Sequence, residues 1–372
     1  MTTNSPDVYD EDETANSEEQ RVTNSALHSI SDVNFDDWYQ EREYRENIES
    51  GTPYFNGPSS VPDPERHSPS KLLQCHRKIY YRQTNAPEEQ ADPDGIFWFG
   101  TRFEEDIIFP FLRDEITESD TYVCNSIWID FTVQTEAGKL QIKGATDPLI
   151  VDSNAVPILP TEIKTKQSLD HVSSPSSHHR AQLHAYMRGL SQKYDTEITD
   201  GVIIYGSRES LDIETFHVEF DDEFWGQTVL KWASNHTEFR LEQTLPPQSP
   251  EYDWECEFCS YRERCGKGNS VHSDLGSEGF LPGFDSYPRN KVEAYLEAHD
   301  GAKLTPALSN QYPDLAEKYG VRSWRCPSCG STYTNEELSI DLTSCQQPLC
   351  PQCAADDSIV ELNSPSLAEG GN

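Results

Sequence analysis

The sequence predicts a mixed α/β domain followed by a small metal-binding module. Segments with helical and strand-like spacing of apolar residues alternate between residues 68 and 243, as in α/β folds. The chain has 372 residues, which is enough for one large domain and an accessory module. Most of its ten cysteines form two closely spaced groups towards the C-terminus, a pattern typical of metal binding.

The predicted elements follow the periodicity of the apolar residues. Helical spacing is found at residues 68–82, 95–112, 178–190, 221–243 and in a short charged segment at 288–299. Strand-like patterns are found at residues 122–133, 140–146, 148–152, 158–166, 201–207 and 213–220. A turn at 136–138 separates the first two strands. This order of elements predicts a mixed sheet flanked by helices.

The segments outside this domain differ from it in composition. Residues 1–67 are acidic and then rich in Pro and Ser, which predicts a disordered extension and linker. Within it, Phe35, Trp38 and Tyr39 form either a patch that binds a protein partner or a weakly ordered lead-in. The remaining segments are a predicted linker with one short helix at 268–320, a cysteine module at 321–362 and a disordered tail at 363–372.

The composition is strongly acidic. Lys and Arg total 29 whereas Asp and Glu total 65, which gives a formal net charge of −36. Such a surface opposes the binding of phosphates, unless its acidity is an adaptation to the solvent. Molar salt shortens the Debye length to about 3 Å. Because the acidic residues are spread evenly, we interpret the charge as that of a halophilic protein and look for local basic residues instead.

The sequence also predicts where the protein works. It contains no apolar run near the ~20 residues that span a membrane, and no apolar segment typical of a secretion signal. We therefore expect no membrane association and a cytoplasmic location. Cytoplasmic cysteines bind metals far more often than they form disulfides, so the ten cysteines predict metal centres.

Two short motifs contain the first candidate catalytic residues. Asp147 ends the motif GATD at a predicted strand end, and Glu162 and Lys164 lie two residues apart in EIK on a following strand. Residues i and i+2 of a strand share a face, so we expect both side chains in one site beside Asp147. Carboxylate oxygens suit Mg²⁺ or Mn²⁺, and a lysine can orient water or neutralise charge on a phosphate. The same spacing is also typical of a strand with a solvated face.

A third motif follows on the next predicted helix. Gln182 and Tyr186 in QLHAY lie four residues apart and therefore on one helical face. Either they approach the same site, or the tyrosine packs into the core.

Together these motifs resemble those of the RecB-type branch of the PD-(D/E)XK nucleases, which includes CRISPR-associated exonucleases. The resemblance extends over about residues 68–267 and implies a restriction-endonuclease-like α/β core. It implies that Asp147 and Glu162 bind Mg²⁺ or Mn²⁺ together with the peptide carbonyl of Ile163. It also implies that Lys164 is the catalytic lysine.

The resemblance further assigns Gln182 and Tyr186 to the DNA side of the site. In that family an earlier helix carries a histidine four residues after a glycine. Here Gly100 is followed at that spacing by Glu104 instead. Because Mg²⁺ accepts oxygen ligands, we predict Glu104 as a further metal ligand, with Glu105 as the competing candidate.

The first cysteine group predicts a metal centre that is closed by a fourth cysteine. Cys256, Cys259 and Cys265 have the spacing C-x₂-C-x₅-C, and a closed site needs a fourth ligand, for which Cys75 is the candidate. In the resembling nucleases, one cysteine before the core and three after it hold a [4Fe–4S] cluster. Zinc bound by the same four cysteines is the alternative. Of the cysteines outside both groups, Cys124 is predicted to be a core residue in a strand.

Basic residues near the motifs are candidates for DNA contact despite the acidic composition. Lys166 lies two residues beyond Lys164 on the same strand face, and Arg180 precedes the QLHAY motif. Cations with nearby aromatic residues suit a single-stranded backbone and its bases. The alternative is that both are ordinary surface cations.

The second cysteine group predicts a structural zinc ribbon. Cys326, Cys329, Cys350 and Cys353 have the spacing C-x₂-C-x₂₀-C-x₂-C, which is typical of a tetrahedral Zn–S₄ site. Cys345 is a less suitable replacement for Cys350. A module this small needs its metal to fold. Its acidic neighbours favour a protein partner or a structural cap over DNA contact.

The sequence as a whole predicts a Mg²⁺- or Mn²⁺-dependent deoxyribonuclease. We expect it to act on ends of single-stranded DNA, in repair, recombination or CRISPR-type processing. One alternative is a catalytically silent module that binds DNA or protein, motivated by Glu104 and the acidic surface. Another is a recruitment adaptor in which the zinc ribbon does the work on a degenerate nuclease scaffold.

Overall fold

The computed structural model describes Ser25 and residues 35–49, 61–269, 276–281, 284–338 and 348–362. The chain divides into two units, Met1–Gly57 and Pro58–Asn372. In the first unit, Phe35–Glu49 forms helix α1. This differs from the predicted disorder, and the rings of Phe35 and Tyr39, one helical turn apart, stack at 6.1 Å. Residues 61–67 of the predicted extension are described as well, and they include a strand at Arg66–His67. The other residues of the extension, apart from Ser25, and the tail at 363–372 lie outside the described residues.

The described residues of the second unit contain three sheets, of which the smallest is an antiparallel pair in the cysteine module (Trp324–Arg325 with Thr332–Tyr333). The first eight strands of this unit are β1 (Arg66–His67), β2 (Thr121–Cys124), β3 (Trp128–Thr135), β4 (Gly138–Ala145), β5 (Leu149–Asp152), β6 (Pro157–Lys166), β7 (Asp200–Ser207) and β8 (Ile213–Glu219). Five of them form a mixed sheet in the order β2-β5-β6-β7-β8, in which β6 and β7 are parallel and the other neighbours antiparallel. The other three form a sheet in the order β1-β4-β3.

Helices flank these sheets. They are α2 (His76–Gln83), α3 (Asp94–Arg102), α4 (Ser177–Tyr194) and α5 (Lys231–Leu241). Helix α3 continues as π-helical and short α-helical turns to Ile116, and a π-helical segment at Phe224–Leu230 leads into α5. The predicted α/β class, a mixed sheet flanked by helices, is confirmed. No helix among the described residues has the length and apolarity to cross a bilayer.

Helix α4 packs against both sheets and forms the centre of the main core. It contacts β3 of the smaller sheet and β6 and β7 of the larger one. Leu183, Met187 and Leu190 on α4 are fully buried. A side chain at Gly189 would collide with Ile129 and Phe131, so this glycine allows β3 to approach the helix. The close approach holds α4 in register over the strands that carry the candidate site.

Helix α3 is anchored to the other face of the larger sheet by aromatic side chains. Phe103 is buried with Ile163 and Ile204, and the Phe99 ring stacks on it at 6.1 Å. The Phe103 ring occupies the space where a side chain at Gly206 would lie. The orientation of α3 about its axis is therefore set by these two phenylalanines.

Two predicted elements differ from the structure. The predicted strand at 122–133 is interrupted at 125–127, and its halves β2 and β3 belong to different sheets. Apolar and polar residues alternate through both halves, so the sequence pattern does not show the break. The break arises because β2 pairs with β5 whereas β3 pairs with β4. The predicted helix at 68–82 begins only at His76 because Leu73 adopts a left-handed conformation with φ 59°.

Residues 276–319 form more than the predicted linker with one short helix. Helices α6 (Arg289–Ala298), α7 (Pro306–Gln311) and α8 (Pro313–Tyr319) enclose an apolar cluster that includes Leu281, Tyr287 and Leu304. The apolar residues of this cluster come from short, separate segments, so no long periodic pattern marks them. The cysteine module follows, with β9 (Trp324–Arg325), β10 (Thr332–Tyr333), α9 (Asn335–Leu338) and α10 (Pro351–Ala355).

Three buried histidines cluster near α2 and α5, and two of them stack with a tryptophan. The rings of His76, Trp232 and His236 are nearly parallel, with neighbouring centroids 4.6–5.6 Å apart. His67 packs against the same group and is hydrogen-bonded to Thr237. Burial lowers the pKa of His67 to about 3 and that of His236 to about 2. These rings are therefore neutral in the folded protein.

We expect this stack to make folding sensitive to acid. Once unfolded, the imidazoles of His67 and His236 bind protons below about pH 6.5, whereas the folded forms do not. The free energy of unfolding therefore falls as pH drops below that value. Denaturant unfolding at neutral pH and at about pH 5 measures the loss, which His236→Gln should reduce. Equal losses in both proteins would contradict this explanation.

Candidate active site and metal centres

Three motif residues converge where β4 leads into β5 and β6 passes alongside. The backbone N–H of Ile163 donates a 2.8 Å hydrogen bond to Oδ2 of Asp147. Nζ of Lys164 forms an ion pair with Glu162, lies 3.8 Å from Oδ2 of Asp147, and donates to the carbonyl of Ile163 at 3.0 Å. Two carboxylates, one ammonium and one carbonyl therefore surround a single point.

The electrostatics of this group are unusual for a structural ion pair. Glu162 is fully buried, and burial and then the charge of Asp147 raise its pKa to about 8. Neither carboxylate oxygen accepts a hydrogen bond of regular geometry among the described residues. Burial lowers the pKa of Lys164, but Glu162 and Asp147 outweigh it and raise that pKa overall. A buried carboxylate so poorly satisfied fits a divalent cation as its missing partner.

Glu104 joins the same group and Glu105 does not. Burial, followed by the charge of Asp147, raises the pKa of Glu104 to about 7, and Lys164 acts in the opposite direction. Glu105 is exposed and lies 3.5 Å from Arg102. Of the two competing glutamates, the geometry thus favours Glu104. The resulting donor set consists of oxygens alone, which suits Mg²⁺ or Mn²⁺.

Helix α4 directs the QLHAY motif at this group. The Tyr186 hydroxyl donates a 3.4 Å hydrogen bond to Oδ1 of Asp147, and Nε2 of Gln182 donates to that hydroxyl at 2.6 Å. Both side chains are buried. The tyrosine is thus buried in the core and also contacts Asp147.

Lys166 and Arg180, the two predicted DNA contacts, each lie over an aromatic ring. Nζ of Lys166 is 4.7 Å from the ring centroid of Tyr205. The Arg180 guanidinium is 4.3 Å from that of Phe224. Both cations are partly exposed. Each therefore has a fixed position from which it can still reach a phosphate.

Four cysteines from the two ends of the α/β core line one pocket. Cys75 precedes α2, and Cys256, Cys259 and Cys265 follow α5 in a tight loop. The pocket encloses about 420 Å³ of empty space, part of it open to solvent. Burial raises the pKa of the Cys265 thiol to about 11. The structure thus brings together the predicted quartet across the whole length of the domain.

Two residues that the sequence analysis missed hold this cysteine loop. The Glu89 carboxylate accepts hydrogen bonds from the backbone N–H groups of Glu263 and Arg264 at 2.7 and 2.8 Å. The fully buried Arg264 side chain donates to carbonyls of Gly276 and Gly279 beyond the loop. The C-x₂-C-x₅-C spacing marks the ligands but carries no signal for these supports.

A third missed residue connects the loop with α4. Glu251 accepts a 2.9 Å hydrogen bond from the backbone N–H of Ser177, at the start of α4, and lies 3.3 Å from Nδ1 of His178. It precedes Cys256 by five residues. The cysteine loop is thereby linked to the helix that carries Gln182 and Tyr186.

The second cysteine group forms a compact tetrad. The Sγ atoms of Cys326, Cys329, Cys350 and Cys353 all lie within 4.8 Å of one another. In each C-x₂-C knuckle the second cysteine's N–H points at the first sulfur at 3.4 Å. A tetrahedral zinc ion with Zn–S bonds of about 2.3 Å needs sulfurs at this spacing. Cys345, the alternative ligand, lies outside the described residues.

We expect the tetrad to hold one zinc ion that is dispensable for chemistry. Cys350→Ser should release about one equivalent of zinc and unfold the module, since it has little other core. DNA cleavage should persist because the tetrad supplies no catalytic group. Zinc analysis and a cleavage assay check this, with Cys345→Ser as the matched control. If Cys345→Ser loses zinc and Cys350→Ser does not, the ligand assignment is wrong.

Comparison with known proteins gives the class. The family profile described as the PD-(D/E)XK nuclease superfamily matches residues 46–266. The chain belongs to the PD-(D/E)XK nuclease superfamily, whose members are metal-dependent nucleases acting on nucleic acid. No curated protein matches the sequence. Among solved structures, the chain is similar to one entitled "Crystal structure of SSO0001", with 17% identity and a TM-score of 0.41, covering 64% of this chain and 100% of that chain.

Proposed function

We propose that this protein is a deoxyribonuclease of the RecB type that hydrolyses phosphodiester bonds at the ends of single-stranded DNA. The observation that carries the proposal is the convergence of Asp147, Glu162 and Lys164, with Glu162 fully buried and paired with the Lys164 ammonium. A structural ion pair of this kind costs more to bury than its Coulomb energy returns. A site built to hold a cation and a phosphate explains that cost.

The oxygen atoms that surround the candidate site identify the proposed metal ligands. Asp147, Glu162, the carbonyl of Ile163 and Glu104 would hold Mg²⁺ or Mn²⁺. When bound, such a cation supplies a Lewis acid and a water of lowered pKa. Glu104 then serves where the family has a histidine, with an oxygen in place of a nitrogen.

Lys164 acts on the phosphate side of this group. Its pKa is raised by the two carboxylates, so the ammonium stays charged throughout the neutral range. About two-thirds of its side chain is shielded, and a charge in such surroundings acts more strongly than in water. It can hold the attacking water or neutralise negative charge that develops on the phosphate.

Tyr186 and Gln182 position Asp147 and form the wall towards the DNA. The tyrosine hydroxyl fixes one carboxylate oxygen of Asp147, and Gln182 fixes the tyrosine. Lys166 and Arg180 supply the phosphate contacts. Cations are few here, which favours one flexible strand over a duplex whose two backbones need neutralisation.

The cysteine quartet supports an iron–sulfur cluster over a zinc ion. All four cysteines are described, and no three of them bring their sulfurs as close together as the zinc tetrad does. A single zinc ion needs sulfurs about 3.8 Å apart, whereas a four-iron cluster separates its ligands further. We therefore assign Cys75, Cys256, Cys259 and Cys265 to a [4Fe–4S] cluster.

The choice of substrate separates the proposal from its competitors. Anaerobically purified protein in molar KCl is incubated with Mn²⁺ and three labelled DNAs: linear single strands, circular single strands and blunt duplex. We expect rapid loss of the linear strand alone. Equal cutting of the circle would replace the exonuclease with an endonuclease. Repair, recombination and CRISPR-type processing all supply such ends, and the zinc ribbon or the N-terminal extension would then recruit a protein partner.

A further inference from the structure

Helix α3 exposes three large apolar side chains beside the candidate site. Ile96, Phe97 and Trp98 are 47%, 55% and 50% exposed. None of them is needed to anchor the helix, because Phe99 and Phe103 already hold it against the sheet. Large aromatic residues left in water on a rigid helix indicate a contact with another molecule.

The position of Phe97 relative to Glu104 is fixed by helical geometry. The two residues are seven apart, and Gly100 lies between them at the third position, so all three share one face. Backbone angles remain helical through Arg102 and Phe103. Phe103, the neighbour of Glu104, packs with Ile163 beside Glu162. Phe97 therefore lies about two helical turns away from the candidate site along the same helix.

Gly100 leaves room along this face. A side chain added there would meet no atom within 4 Å. Its backbone conformation is not left-handed, so the helix itself does not require glycine at this position. The face therefore has open space above Gly100. Glu104 lies at one end of the face, and the exposed ring of Phe97 lies at the other.

The charges on α3 decide what kind of contact this face makes. Glu104, Glu105 and Asp106 repel phosphates, and Arg102 lies 3.5 and 3.9 Å from the last two of them. A strand that passes here gains little from its backbone, whereas its bases can stack on aromatic rings. Stacking is also insensitive to salt, unlike phosphate contacts. In molar salt, base stacking therefore keeps more of its contribution to DNA affinity than phosphate contacts do.

We propose that the face formed by Phe97, Gly100 and Glu104 is the path of the DNA strand beside the active site, with one base stacked on Phe97. This inference rests on the proposed nuclease function and deepens it, because it assigns a subsite for bases. The strand passes over Gly100, and Trp98 on the adjacent face borders the path. The position of this face beside the candidate active site, where a nuclease must hold its substrate, favours DNA over a protein partner as the occupant.

Binding by an inactive protein tests the subsite. Lys164→Ala is the parent, and its affinity for fluorescent single-stranded oligothymidylate is measured anaerobically in molar KCl without divalent metal. Adding Phe97→Ala should weaken binding about tenfold, and Phe97→Leu by a similar factor, whereas Phe97→Trp should restore it. Tyr122→Ala, which removes an aromatic of similar exposure from the edge strand β2, should change nothing.

Gly100 provides an independent variant. The Gly100→Leu variant should bind DNA more weakly, because the leucine side chain fills the open space above this position. The Gly100→Ala variant should bind like the parent. If Phe97→Ala and Phe97→Leu bind as the parent does, the subsite is wrong even when the wild type cleaves DNA. If the parent fails to bind and the wild type fails to cleave, the proposed function falls together with the subsite. If the Phe97 variants weaken binding but Gly100→Leu does not, the path of the strand over Gly100 is wrong.

Discussion

Lys164→Ala is expected to reduce DNA cleavage by about a hundredfold to a thousandfold, because one preorganised charge next to the reacting phosphate is lost. The same substitution should not unfold the protein. It removes a cation from beside Asp147 and Glu162, but those carboxylates can then take up a proton or bind a metal ion. The measurement is the initial rate with linear single-stranded DNA and Mn²⁺, at equal visible absorption of the two proteins.

Lys139→Ala is the matched control for that variant. Lys139 is the second residue of β4 and is exposed, so its loss changes the net charge equally without affecting the site. We expect wild-type cleavage from it. Should Lys139→Ala and Lys164→Ala slow the reaction alike, the effect would come from net charge, and the assignment of Lys164 would be wrong.

Cys259→Ser is expected to have the second large effect, on both metal content and stability. Cys75 and the loop at 256–265 line one pocket, so the proposed cluster would join them across almost the whole nuclease domain. Loss of a crosslink that closes so long a loop lowers the free energy of unfolding by about 4–5 kcal/mol in the chain-entropy account. The variant should purify colourless, contain no iron, and unfold at lower denaturant concentration.

Cys124→Ser separates the cluster from cysteine loss in general. Cys124 lies on β2, away from both cysteine groups in the described structure, and its thiol contacts the carbonyl of Ser126 at 3.5 Å. It should keep the brown absorption and about four irons of the wild type. If anaerobically purified wild-type protein contains zinc and no iron, the iron–sulfur assignment is wrong and the zinc alternative remains.

The site was largely predictable because its chemistry lies in local spacing. Glu162 and Lys164 share a strand face by the period of two, and Gln182 and Tyr186 share a helix face by the period of four. Burial of these faces follows from the fold. The sequence gives no measure of depth, however, and the complete burial of Glu162 emerges only from the packing of α4 over β6.

The fold was less predictable where pairing is long-range. Residues 122–133 alternate throughout, yet β2 pairs with β5 and β3 with β4, so the split depends on partners distant in sequence. The core at 276–319 and the contacts of Glu89 and Arg264 have the same origin. A buried arginine that donates to backbone carbonyls leaves no periodic signal.

Hydrogen bonds connect the cysteine loop with the candidate active site through α4. Glu251 ties the cysteine loop to the start of α4, and α4 presents Tyr186 to Asp147. Loss of the cluster should therefore misplace Tyr186 as well as destabilise the domain. The cluster in this account supports the site mechanically, and no step of hydrolysis passes through it.

The most direct test of the central claim is Mn²⁺-dependent cleavage of end-labelled single-stranded DNA by cluster-loaded wild type beside Glu162→Gln. Glu162→Gln keeps the shape of the buried side chain and removes its charge. The account predicts cleavage by the wild type, abolished by chelation, and none by Glu162→Gln at equal brown absorption. An intact wild type that binds DNA and cuts nothing with any divalent metal would contradict it, and the silent binding module would take its place.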